Sequence, residues 1–192
     1  MKNAGISRLG YALLGLLTKP ASGYDLRKIF STTAMMTYSD SPGAIYPGLR
    51  RLQQQGFIRG SIENGAGLRR RQVFRLTARG AAELRAWITR PVTQDEVIRG
   101  LDGVMLRFAF SEKAAGRQAS IGLLKSLQAE LTSYLPALHE QRTAGMAMAA
   151  MPTSGSLALE SGIRSYETLL RWTKDALAVY AREPRRKKGK AS

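Results

Sequence analysis

Ser41-Pro42-Gly43-Ala44-Ile45-Tyr46-Pro47-Gly48-Leu49-Arg50-Arg51-Leu52-Gln53-Gln54-Gln55-Gly56-Phe57-Ile58 is the stretch that decides the fold. Ser41-Pro42 reads as a helix start, because a serine hydroxyl accepts from first-turn amides and a proline at the first helical position has no amide to leave unpaired. The helix predicted from Pro42 to about Gln55 carries Ile45, Leu49 and Leu52 on an apolar face. Tyr46, Arg50, Gln53 and Gln54 share the neighbouring face. Pro47 removes the bond to the Gly43 carbonyl, so a kinked or tightened first turn is expected. Gly56 stops the helix, and Phe57-Ile58 opens a strand pattern.

Upstream, Ile6, Leu9, Leu13 and Leu16 recur at helical spacing until Pro20. Ser22 is a natural N-cap for a second helix carrying Leu26, Ile29, Phe30 and Thr33. Downstream, the strand runs to about Glu63 and resumes from Gln72 to Leu76. The connection between them turns at Asn64-Gly65 and carries Arg69, Arg70 and Arg71. Thr77 caps a fourth helix through about Arg90, with Leu84, Trp87 and Ile88 as its buried side, and Pro91 closes the segment. Three helices, a two-stranded basic hairpin and a fourth helix are the order of a winged helix-turn-helix, whose third helix enters the DNA major groove.

The remainder reads as helical. Thr93-Gln94-Asp95-Glu96 starts a short helix ending near Phe110, and residues 112–149 are helical in composition. Leu124, Leu127, Leu131, Leu135 and Leu138 form a seam that Pro136 is expected to bend. Residues 152–156 read as a loop. A last helix repeats Leu159, Ile163, Tyr166, Leu170, Thr173, Leu177 and Tyr180, more apolar surface than two isolated helices can hide, so a partner subunit is the simplest cover. The expected fold is mainly α with a small β-hairpin: a winged helix-turn-helix at 1–91, an α-helical dimerisation domain at 92–181 and a basic disordered tail at 182–192.

Charge follows the same partition. The net charge is +16, from 30 Lys and Arg against 14 Asp and Glu. Residues 1–91 hold 15 basic and 4 acidic residues, 92–181 hold 9 of each, and 182–192 hold 6 and 1. A neutral middle between basic ends points to a polyanion-binding module joined to a part that packs against itself.

Several classes are excluded by composition. The chain has no cysteine and one histidine, His139, so no thiolate metal site or disulfide framework exists and no cofactor or metal is expected. No catalytic constellation is assembled, so no enzyme is expected. Arg8 and the glycines interrupt the first apolar stretch, which therefore does not read as a signal peptide, and the apolar runs are too short to span a bilayer. A soluble cytoplasmic protein without a membrane partner is the reading.

Ser22-Gly23-Tyr24-Asp25-Leu26, the stretch 41–58 and Arg70 to Gly80 resemble successive motifs of PadR-type transcriptional regulators. The resemblance covers about half of the chain, and its most specific part is the internal Tyr46-Pro47. Ala44 stands where the family commonly has threonine and Gln53 where glutamate is common. The resemblance implies a homodimer on a palindromic operator in double-stranded DNA, usually a repressor relieved by a small, often aromatic, effector, with the C-terminal helices as the dimerisation domain.

The candidate DNA contacts are Ser41, Gly43, Ala44, Tyr46, Arg50, Arg51 and Gln54 on the third helix, and Tyr24, Lys28, Arg69, Arg70 and Arg71 on helix two and the wing. A helix start offers amides to phosphate, while tyrosine and arginine reach backbone or base edges. Two readings stay open for several of these. Tyr46 either contacts DNA or packs on helix two, and Tyr24 is expected to make a core or helix contact. Tyr166 and Trp172 either line a ligand pocket at a dimer interface or are core aromatics. His139 reads as a surface or interface residue. The rival functions are a nonspecific nucleoid or RNA-binding protein and a small-molecule sensor with a non-DNA partner.

Overall fold

Ser22 starts the second helix by a reciprocal exchange with Asp25. The serine hydroxyl oxygen accepts from the Asp25 amide at 3.2 Å, while the Asp25 carboxylate accepts from the Ser22 amide at 3.1 Å and hydroxyl at 2.7 Å. The computed structural model in which this is seen describes residues 5–33, 35, 38, 42–64, 70–147 and 151–182. Ser41, Arg69 and the expected tail from 183 onward lie outside the described residues.

The described elements are α1 (Arg8–Leu16), β1 (Ala21–Ser22), α2 (Gly23–Thr32), a 3-10 turn (Pro42–Ala44), α3 (Ile45–Gln54), β2 (Ile58–Asn64), β3 (Arg70–Leu76), α4 (Ala78–Thr89), α5 (Gln94–Arg99), α6 (Leu101–Ala115), α7 (Arg117–Ala147) and α8 (Thr153–Arg182). The fold is mostly helical with one small antiparallel sheet, and its first part is a winged helix-turn-helix. The sheet has three strands in the order β1-β3-β2, not the two expected. Strand β1 is only two residues long, too short for an alternating pattern to announce it.

The third helix begins later than Ser41-Pro42 suggested. A proline at 47 clashes with a helical carbonyl four residues back, so the α-helix starts at Ile45 and Pro47 falls in its first turn, where an amide would have no intrahelical partner. The preceding residues tighten into the 3-10 turn. At the other end Gly56 has φ 74°, its amide donates to Gln53 at 3.0 Å, and Phe57 donates to Leu52 at 2.9 Å. This left-handed cap reverses the chain into β2.

The chain divides into two compact units. The first is Met1–Arg90 with Met105–Ala119. Its core gathers Leu13, Leu14, Leu26, Ile45, Leu49, Ile58, Leu84, Ile88 and Leu106. Thr77 closes it: its hydroxyl accepts from Gly80 at 3.0 Å and donates to the Gly56 carbonyl at 2.7 Å. Tyr11 stacks on Trp87 with ring centroids 4.2 Å apart and donates its hydroxyl hydrogen to Glu83 at 2.8 Å. The fully buried Arg107 donates to the carbonyl of Ile88 at 3.2 Å and to that of Arg90, a cation at the C-terminal end of α4.

The second unit is Pro91–Val104 with Ser120–Ser192. The predicted start at Thr93 is a capping box with Glu96, but the short helix ends at Gly100 and α6 follows it to Ala115. All five leucines of the expected α7 seam are buried. Helix α7 runs from Arg117 to Ala147 with Pro136 inside it. The loop expected at 152–156 is instead the first turn of α8: the Ser156 amide donates to the Pro152 carbonyl at 3.0 Å, and a Cβ on Gly155 would meet Met151 Cγ at 3.1 Å. Leu135, Leu138 and Ile163 form a small core, with Tyr134 and Tyr166 edge to face at 5.4 Å. His139 Nε2 lies 3.2 Å from Glu167. Among the described residues, no helix is long and apolar enough to cross a membrane.

Candidate nucleic-acid interface

The pairing of β1 with β3 builds the basic face. Ala21 lies opposite Phe74 and Ser22 opposite Val73. Ser22 is the last residue of β1, and the chain turns there into α2. Asp25 registers the result: its carboxyl is held below the usual range first by its hydrogen bonds to Ser22 and further by the charges of Arg71 and Lys28. Tyr24 and Lys28 stand one turn apart on α2, and both are exposed. Tyr24 is 70% exposed, so the expectation that it packs in the core is corrected. It follows the N-cap on the outer side of the first turn, while Leu26 and Phe30 take the buried face.

Tyr46 packs on the start of helix two, one of the two readings left open by the sequence. Its ring lies on Gly23, where an added Cβ would stand 2.6 Å from Cε1, yet 51% of the residue remains exposed. Glycine at 23 is therefore a seat for this ring. Arg50 and Gln54 follow at four-residue intervals on α3 and are exposed. Gly43 is exposed and Ala44 half-buried in the 3-10 turn, and α3 has no side-chain cap among the described residues. First-turn amides without a side-chain acceptor suit a phosphate oxygen.

Arg51 parts company with Arg50. Adjacent residues on a helix point about 100° apart, and Arg51 lines a cleft with Ser7 and Gly10 at the start of α1. Arg70 and Arg71 are exposed on β3, opposite Asn64 and Glu63. Arg75 sits further from the wing's end. It pairs with Glu63 at 2.5 Å and donates to Ser61 at 2.8 Å, and this pairing holds the Glu63 carboxyl below its usual range. The Glu63 charge is thereby taken up within the hairpin.

Tyr166 and Trp172 are not brought to one face. Six residues apart on α8, they point about 120° away from each other. Tyr166 is half-buried against Tyr134, and Trp172 is 38% exposed. Asp25 and Gly23 were missed as site residues. The Ser22-x-x-Asp25 spacing signals the first as a capping box, whereas only the packed ring of Tyr46 identifies the second.

The sequence matches the PadR-like family of transcriptional regulators over residues 13–86. The negative transcriptional regulator PadR of Bacillus subtilis is 35% identical over 115 residues, which cover 58% of this chain and 61% of that relative. Two solved structures are similar at 26% identity. Bacillus subtilis PadR in complex with operator DNA aligns over 90% of this chain and 98% of that one with a TM-score of 0.40. The same regulator in complex with p-coumaric acid aligns over 95% and 100%, with a TM-score of 0.41. Residues 13–86, which run from α1 into α4, thus form a domain that matches the PadR-like family of transcriptional regulators.

Proposed function

We propose that this chain is a cytoplasmic, dimeric, sequence-specific DNA-binding regulator, acting as a repressor on an inverted-repeat operator. The observation that carries the reading is the exposed set of Tyr24, Tyr46, Arg50 and Arg71 around the start of α2 and the outer face of α3, in a domain of this family. Arg50 and Tyr46 read base edges in the major groove. The amides at the start of α3, with Lys28, Arg70 and Arg71, hold backbone phosphates. The 35% identical relative is named a negative regulator, which favours repression.

Residues 1–91 serve as the DNA-binding part and 92–181 as the dimerising part. Helix α8 exposes Leu157, Trp172 and Val179, and a second copy covers such a face. The role is binding rather than catalysis. A small aromatic acid relieves repression in this proposal, and p-coumaric acid, the compound in the Bacillus subtilis PadR complex, is the first to test.

The test is selection of random duplex DNA by the purified full chain at about 0.15 M salt, where base reading separates from counterion release. Enrichment of an inverted repeat with half-sites about 34–36 Å apart supports the proposal. Unbiased recovery overturns it in favour of nonspecific binding.

A further inference from the structure

Residues 58–76 hold five arginines and a single acidic residue, Glu63. Side chains alternate between the faces of a strand, so Arg59, Ser61 and Glu63 of β2 share a face with Arg75, Val73 and Arg71, which stand opposite them on β3. Arg59 and Arg75 are thus like charges directly across from each other, an unfavourable pair. Arg75 runs along the strand instead. It pairs with Glu63 at 2.5 Å and donates to the Ser61 hydroxyl at 2.8 Å, and that hydroxyl donates to Glu63 at 3.3 Å. The side chains of Arg75 and Glu63 are 34% and 35% exposed, so the pair lies at the surface of the hairpin. This face borders the proposed DNA contacts, since the charge of Arg71 acts both on Glu63 and on Asp25 at the start of α2.

We propose that Glu63 limits the hold of this hairpin on DNA by keeping the Arg75 guanidinium from backbone phosphates. The proposal rests on the DNA-binding reading above. A guanidinium bonded to a carboxylate and a hydroxyl gives up both before it takes a phosphate, and the carboxylate it leaves then faces the incoming phosphates as a like charge. Phosphate contacts carry no base information, so a contact withheld in this way lowers affinity for every sequence alike and leaves the reading of bases to α3. Non-operator duplex greatly outnumbers any operator, and a weaker backbone hold keeps the protein from being retained there. Glu63 is in this sense a positioning residue: it acts through Arg75 and makes no DNA contact of its own.

The test is titration of the full-length protein with a fluorescent duplex of random sequence over a series of salt concentrations. Glu63→Gln is expected to bind about fivefold tighter than the parent at about 0.15 M salt and to steepen the slope of log K against log salt by about 0.9, one further phosphate contact. Asp95→Asn, which removes the same charge from an exposed pair with Arg99 on α5, leaves both quantities at the parent values. Glu63→Gln combined with Arg75→Gln returns to the parent level, because no guanidinium is released. Ion pairs at the surface contribute little to stability, so these variants fold, as an unchanged thermal transition verifies. Glu63→Thr, with a side chain suited to strands, repeats the gain. An unchanged affinity and slope in Glu63→Gln, an equal gain in Asp95→Asn, or a gain that survives Arg75→Gln would each overturn the proposal while the DNA-binding reading stands. A parent that binds no duplex overturns both.

Discussion

The ring of Tyr46 rests on Gly23, at a place where any Cβ would stand 2.6 Å from the ring carbon Cε1. The start of α2 and the outer face of α3 are thereby fitted to each other at the centre of the proposed interface. Because Tyr46 is half exposed, Gly23→Ala displaces the ring outward instead of breaking the core. The expected result is a stability loss of less than about 1.5 kcal/mol with a clear drop in affinity for the selected duplex. Chemical denaturation and a binding titration on the same variant check this, and unchanged affinity refutes it.

Arg50→Ala removes an exposed side chain, so stability stays within about 0.5 kcal/mol. Binding to the selected duplex weakens by about 1–3 kcal/mol, and the preference at one base position relaxes. Repeating the selection with the variant shows whether the recovered sequence has blurred there.

Gly80→Ala strikes the backbone. A Cβ at Gly80 falls on the carbonyl oxygen of Phe57, which neither α4 nor the start of β2 can move aside cheaply. The expected destabilisation is at the upper end of the range for overpacking, about 3 kcal/mol, read as a lowered denaturation midpoint. A variant as stable as the parent contradicts the close approach.

Arg107→Met keeps the length of a buried side chain but removes donors from the carbonyls of Ile88 and Arg90. Carbonyls left without a partner cost about 1–3 kcal/mol each when no water reaches them. A net loss of about 2 kcal/mol or more in urea unfolding is expected, and Arg107→Lys recovers part of it.

Asp25→Ala removes half of the capping box and costs about 1 kcal/mol at neutral pH. The Asp25 carboxyl is depressed in the folded state, so its contribution is complete above the unfolded carboxylate range and is lost as pH falls through the folded value. Unfolding free energies of parent and variant therefore converge in acid. A difference that stays constant from neutral pH down to below the folded value refutes the assignment.

The caps at Ser22, Thr77 and Thr93, the stop at Gly56 and the buried faces of α3 and α4 were legible because each is a local matter of hydrogen-bond chemistry and helical spacing. The start of α3 was misplaced because Ser41-Pro42 carries a valid start signal, while Pro47 sets the α-helical beginning from five residues further on. The first turn of α8 was missed because Thr153, Ser154, Gly155 and Ser156 are weak helix formers, held helical by the long run from Leu157 to Arg182 that they lead into.

By itself the sequence determined the order of the four helices and the β2–β3 hairpin of the first part, the winged helix-turn-helix class and the side of α3 that carries tyrosine and arginine, since periodicity and capping are properties of neighbouring residues. The tertiary structure alone decided that Ala21–Ser22 forms a strand against β3, that the charge of Arg71 acts on Asp25, that Gly23 seats Tyr46, and that Leu106 joins the core of the first unit. These are contacts between residues distant in the chain or on separate elements. They are fixed by strand register and close packing, and neither leaves a period in the sequence.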